Sequence, residues 1–321
     1  TGSQSQNILI TYTKKRVMRT NILSKGLFTI IALSAALSFT ACSSDSDSNF
    51  SNTEVAATTT SEADFSIKIK TYNASGRDVT TYGDVSDVTL YIFNESQDLI
   101  SSQKIEKAAI LNGKTIQIHA KSANRITVVA WAGLTNNKEE VSSLTKADIF
   151  SDLRVQLKQN NGQVTTPPSD LYHGKLTLDR AQTKADDVTI LTVNRKVGHL
   201  TLSARNITEA TGDFYFKVKA ATSALNFDGQ AEGNQVEYIV PATMNENGVL
   251  VADNGINVIP SDDVTVELYR NDVLMLSSKN FKNTENMSVK EGKSATISFD
   301  ASNISNSRYA VVSWGQVAQF A

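Results

Sequence analysis

The side chains able to do chemistry are few. One thiol serves the whole chain of 321 residues, Cys42, in the stretch LSFTACSSDSDSNF. A single cysteine closes no intramolecular disulfide, so its sulfur can attach something but cannot brace the fold. The three histidines, His119, His173 and His199, do not stand at the spacing of a metal-ligand pair. With one cysteine beside them, no zinc site of nitrogen and sulfur ligands is expected. No G-x-S-x-G elbow, Walker loop or dinucleotide fingerprint occurs, so neither a catalytic residue nor a cofactor is expected. The 33 acidic residues leave one hydrolytic arrangement open, two carboxylates facing each other across a cleft. NFDGQAEGNQVE is rich in acid and amide oxygens, but its spacing is not that of a calcium loop, and it reads as a solvated loop. Trp131 and Trp314 have rings that could stack on a sugar, yet each sits in an apolar strand, which favours core packing.

The surroundings of Cys42 give the thiol a use. Lys14, Lys15, Arg16, Arg19 and Lys25 form a basic region, and no acid precedes Asp45. GLFTIIALSAALSF then supplies an apolar run too short to span a bilayer comfortably, ending in small residues. Residues 1–41 therefore read as a signal region, in which Met18 offers a start of its own and 1–17 are then an over-extension, the choice between the two starts being left open by the sequence. Phe39, Thr40 and Ala41 before Cys42 resemble a bacterial lipobox, with Phe39 where an aliphatic residue is usual. In that reading a diacylglycerol is attached to the sulfur and the signal is cut just before it. Each buried methylene of an acyl chain contributes about 0.8 kcal/mol, so more than one chain anchors stably. An ordinary secretory signal with a chance cysteine is the plainer alternative. Residues 42–63 continue as a Ser/Thr/Asp-rich flexible linker, too poor in large apolar groups to order itself. An acidic stretch behind the lipid cysteine also resembles a surface-export signal. Of 31 cationic residues, five lie before Cys42, leaving 26 against 33 acids, a charge near −7. With no long basic block, nucleic acid is not an expected partner.

The elements that must carry this chain are strands. Phe65, Ile67 and Ile69 alternate with Ser66, Lys68 and Lys70; Val88, Leu90 and Ile92 share a face, as do Ile116 and Ile118. In the second half Phe214, Phe216 and Val218 align, then Val264, Val266 and Leu268, then Ala295, Ile297 and Phe299. Residues 135–186 break the pattern, and one short helix is expected there with Thr145 as N-cap and Asp148 three residues on. DVTILTVNRKVGHLTLSARN is too long for one strand, so a domain junction is expected within it, with a strand ending near 194 and the next starting near Lys196. The expected architecture is all-β: two consecutive β-sandwiches, residues 64–195 and 196–321, after the signal and linker.

Four stretches carry a resemblance to a known family: DVTLYIFNESQDLI, ITVVAWAGL, DLYHGKL and LTVNRKVGHLTL. Together they resemble the fimbrillin-associated anchor proteins of Bacteroidetes, the minor fimbrial subunits of the FimB type. The resemblance implies two transthyretin-like β-sandwich domains and no catalytic residue. It also implies a surface-exposed lipoprotein of the outer membrane at the base of a fimbrium, partnered by fimbrial pilin subunits through donated β-strands. Only Cys42 carries over as a functional position. Shaft subunits are cut after an arginine in an early segment, and Arg77 in NASGRDVTTYGD is the candidate by type. The tail from Arg308 to Phe320 is either a donor strand or the closing strand of the second sandwich. The alternatives are a carbohydrate-binding surface lipoprotein with a glycan ligand, and a fimbrial tip adhesin of the same fold.

Overall fold

The computed structural model describes residues 64–313 except 73–76, 121–122, 135–137, 143–149, 162–163, 185–186, 253 and 283–286. Cys42, Trp314, the signal and the linker lie outside the described residues, as do Thr145 and Asp148 of the expected helix. The described flanks of that helix hold a short strand and a 3-10 turn, Phe150–Asp152.

Alternating side chains turn each strand into a two-faced ribbon, and burial of one face selects its place. β1 (Asp64–Lys70) buries Phe65, Ile67 and Ile69. β2 (Val88–Phe93) and β3 (Leu99–Ile105) form a hairpin. The helical turn Lys107–Leu111 then leads to β4 (Ile116–His119) and β5 (Arg125–Ala132). Short strands follow: β6 (Glu139–Val141), β7 (Arg154–Leu157), β8 (Gln159–Asn161) and β9 (Val164–Thr165). β10 (Tyr172–Asp179), β11 (Val188–Thr192) and β12 (Asn194–Arg195) close this half. A three-stranded sheet, β11-β1-β4, faces a five-stranded sheet, β12-β10-β5-β2-β3. Between them pack Phe65, Ile67 and Ile118 from the first and Leu90, Ile92 and Val128 from the second.

The rest of the chain supplies β13 (Gly198–Arg205), β14 (Phe214–Ala220), β15 (Ala224–Asn226), β16 (Ala231–Glu232), β17 (Val236–Met244) and β18 (Leu250–Ala252). β19 (Ile256–Val258), β20 (Val264–Arg270), β21 (Val273–Ser277), β22 (Lys293–Asp300) and β23 (Arg308–Ser313) follow. The long sheet runs β21-β20-β14-β17-β18-β13-β22-β23. Phe216, Val218 and Leu268 from one part of it share a core with Leu202, Ile297 and Phe299 from the other. One pairing rule recurs: β1 lies parallel to β11, and β13 lies parallel to β22. β23 pairs antiparallel with β22, so the described part of the tail is an edge strand of its own sheet.

The junction region is pinned. Val193 N–H donates to the Lys70 carbonyl at 2.8 Å, and Lys196 N–H to that of Leu171 at 2.8 Å. Arg195 grips Asp170 through two hydrogen bonds of 2.7 and 2.8 Å, a fork matched to a carboxylate. Strand pairs also cross the junction. β15 pairs with β7 in the sheet β16-β15-β7-β6, and β17 pairs with β9. The second core accordingly includes Tyr91, Phe93, Trp131 and Phe150 beside Leu225 and Phe227.

Candidate functional site

The groups that could do chemistry are scattered. His119 is exposed on β4, with Ile116 and Ile118 turned inward as the alternation requires. His199 is half-buried, its Nδ1 3.3 Å from the Asn257 side-chain oxygen. Among the described residues no group of three His, Cys, Asp or Glu could hold a metal ion. The acidic stretch after β15 is a hairpin turn in which the Asn226 side chain accepts from the N–H groups of Asp228 and Gln230 at 3.0 and 2.9 Å. Trp131 is wholly buried, so its ring offers no face to a sugar. Arg77 is exposed, its guanidinium 5.7 Å from the centre of the Tyr82 ring.

His173 is the ionisable group that sequence reasoning missed. It is buried on β10 beside Trp131, with ring centres 4.7 Å apart, and its Nε2 lies 2.9 Å from the Phe227 carbonyl. Gly229, at φ 76°, passes so close that a Cβ there would sit 2.6 Å from Nδ1. Burial lowers the imidazole pKa to about 4, against a partial opposing effect of the Phe227 hydrogen bond. In the unfolded chain its pKa is about 6.5. Between these values the unfolded chain binds a proton that the native state refuses, so stability falls as pH drops from about 6.5 towards 4. Urea unfolding at pH 7.5 and at pH 5 is expected to show this protein losing about 2 kcal/mol more than His173→Gln over that interval. Equal losses would contradict the burial of a neutral imidazole.

A different kind of site lies along one side of the first sandwich, where β3 and β4 each end their sheet among the described residues. Leu90 faces Gln103 and Ile92 faces Ser101 across the β2–β3 ladder, and directly opposed residues share a sheet face. Ser101 and Gln103 therefore point towards the smaller sheet, yet both are exposed, because among the described residues no strand of that sheet lies beyond β4 to cover them. The overhang leaves a cleft of about 740 Å³ lined by Ser101, Gln103 and Ile105 of β3, Ile116 and Gln117 of β4, and Ala109 of the connecting helix. The apolar Ile105 and Ile116 sit beside polar Ser101, Gln103 and Gln117, so the cleft can hold water when empty and still pack one apolar side chain. Four consecutive polar residues in β3, Ser101 to Lys104, were the available signal, since a strand covered on one face alternates.

The major fimbrium anchoring subunit FimB of Porphyromonas gingivalis is 25% identical over 213 residues, 63% of this chain and 68% of that protein. Among solved structures, the fimbrial anchor protein Mfa2 of P. gingivalis superposes with a TM-score of 0.57 at 12% identity, covering 78% of this chain and 95% of that one. A protein of Bacteroides thetaiotaomicron described as a putative polysaccharide binding protein superposes at 0.59 with 16% identity, covering 74% of this chain and 92% of that one. These two likenesses establish the fold. A family model matches residues 51–317, and the chain belongs to the fimbrillin-A associated anchor proteins Mfa1 and Mfa2.

Proposed function

We propose that this protein is a non-enzymatic anchoring or minor subunit of a fimbrium, held on the outer membrane by acyl chains on Cys42, that takes a strand of a neighbouring subunit between β3 and β4. The observation that supports it is the pair of sheet ends, among the described residues, that flank one cleft. A strand added to β4 gains main-chain hydrogen bonds, and its inward side chains cover Ser101, Gln103 and Ile105. Two sandwiches, 64–195 and 196–321, each of transthyretin type, carry the load in this reading. No turnover is involved.

Arg77 fits the same picture as a processing site only at a cost. It lies between β1 and β2, so a cut there separates the linker and Cys42 from most of the chain. β1 would then be held without a covalent link, by pairing with β4 and β11, by the burial of Phe65, Ile67 and Ile69, and by contacts such as Lys70 with Asp78 and Thr71 with Thr80. The tethered form is expected to be the uncut one.

The test is a photo-activatable residue at Gln103, illuminated in living cells. It is expected to capture a fimbrial subunit, whereas the same residue placed at Thr201, on β13 of the second half, is not. Capture at neither position would remove the cleft from the assembly.

A further inference from the structure

Within the first sandwich the two inner faces are apolar: Leu90, Ile92 and Val128 of the larger sheet share a core with Phe65, Ile67 and Ile118 of the smaller. The inward positions of β3 depart from this. By register with Val88, Leu90 and Ile92 they are Ile105, Gln103 and Ser101, so two of the three are polar. Ile105 is buried, whereas Gln103 and Ser101 are exposed and line the cleft. Neither carries the charge that commonly guards a sheet edge, but both side chains donate and accept hydrogen bonds.

The cleft is also graded along its length. The helical turn Lys107–Leu111 joins the end of β3 to the start of β4, so Ile105, Ala109 and Ile116 line the end beside that turn. Gln103 and then Ser101 follow at steps of about 6.8 Å, the spacing of alternate residues in a strand. An extended segment laid along β4 presents its own alternate side chains at the same step. The one beside the helical turn meets an apolar end, and the next two meet an amide and a hydroxyl. Covering those two groups with aliphatic side chains takes away their water and returns no hydrogen bond. A uniformly apolar strand is thus penalised at two of its three inward positions, and one with hydrogen-bonding side chains there is not.

We propose that the cleft is selective for an extended segment with one apolar inward side chain beside the helical turn and two hydrogen-bonding ones beyond it, Gln103 and Ser101 being the selecting residues. The inference rests on the strand-receiving role given above and adds the chemistry of the strand that is received.

The test uses the full chain carrying Cys42→Ala and labelled nine-residue peptides, with binding read by fluorescence anisotropy. One peptide places Leu, Gln and Thr at three alternate positions, and the other places Leu at all three, with identical Lys and Thr residues elsewhere. Each is made in both chain directions, which covers parallel and antiparallel entry. The mixed peptide is expected to bind at least tenfold more tightly than the uniform one. Ser101→Val combined with Gln103→Leu is expected to reverse that preference, a result that adhesion elsewhere on the surface does not give. Both positions are exposed, and circular dichroism verifies that the double variant is folded. Equal affinities, or a preference that the double variant leaves unchanged, overturn the selectivity while leaving a cleft that takes a strand. Binding of neither peptide overturns the strand-receiving role itself, and the selectivity with it.

Discussion

Cys42→Ala is expected to move this protein, and the filaments it holds, from the cell envelope to the medium. The effect should be nearly complete, because the sulfur is the only one of its kind in the chain and has no substitute. An acyl chain of some sixteen carbons contributes on the order of 10 kcal/mol of burial at about 0.8 kcal/mol per methylene, and a lipoprotein carries more than one. In the proposed reading the variant loses that attachment, and the described residues, from β1 onward, make no contact that the substitution is expected to alter. Fractionation followed by immunoblotting reads the outcome. Retention of the Cys42→Ala protein in the outer membrane would mean that the tether lies elsewhere.

The second large effect is expected at Phe227. Its ring lies 5.3 Å from that of Tyr91 and 6.2 Å from those of Trp131 and Phe150, centre to centre, and it is essentially inaccessible to solvent. The residue belongs to the second half of the chain, whereas its neighbours belong to the first. Phe227→Ala removes the side chain that fills this shared core, at a cost of about 3–5 kcal/mol. Typical domains hold only about 5–15 kcal/mol in total, so the variant should unfold at a much lower denaturant midpoint. Because β7–β15 and β9–β17 also join the halves, unfolding is expected to remain a single transition. Two separate transitions, with only the later one unchanged, would show that the halves are energetically independent.

The legible part of this fold was the set of strands with one covered face. In β14 Phe214, Phe216 and Val218 are buried while Tyr215, Lys217 and Lys219 are half-exposed, so the alternation appears in the residue types themselves. Pairing partners were not legible. That β1 lies beside β11, more than a hundred residues later, depends on long-range closure, which leaves no mark on either segment. The helical turn Lys107–Leu111 was missed because five residues are too few to establish a period. His173 was missed for a different reason. Alternation along YHGKLTLD puts it on the same face as Lys175 and Thr177, but the Phe227 turn covers that face at one end only. The cleft was half legible: the polar run in β3 marks a strand uncovered on both faces, while the facing edge of β4 emerges only when both sheets are assembled.

The most direct measurement is peptide mapping of the adduct formed from Gln103 in assembled fimbriae. An extended segment of another subunit, joined within a few residues of a single position, is the expected product. An adduct spread over a folded surface of the partner, or formed only within this chain, would mean that the cleft does not receive a strand.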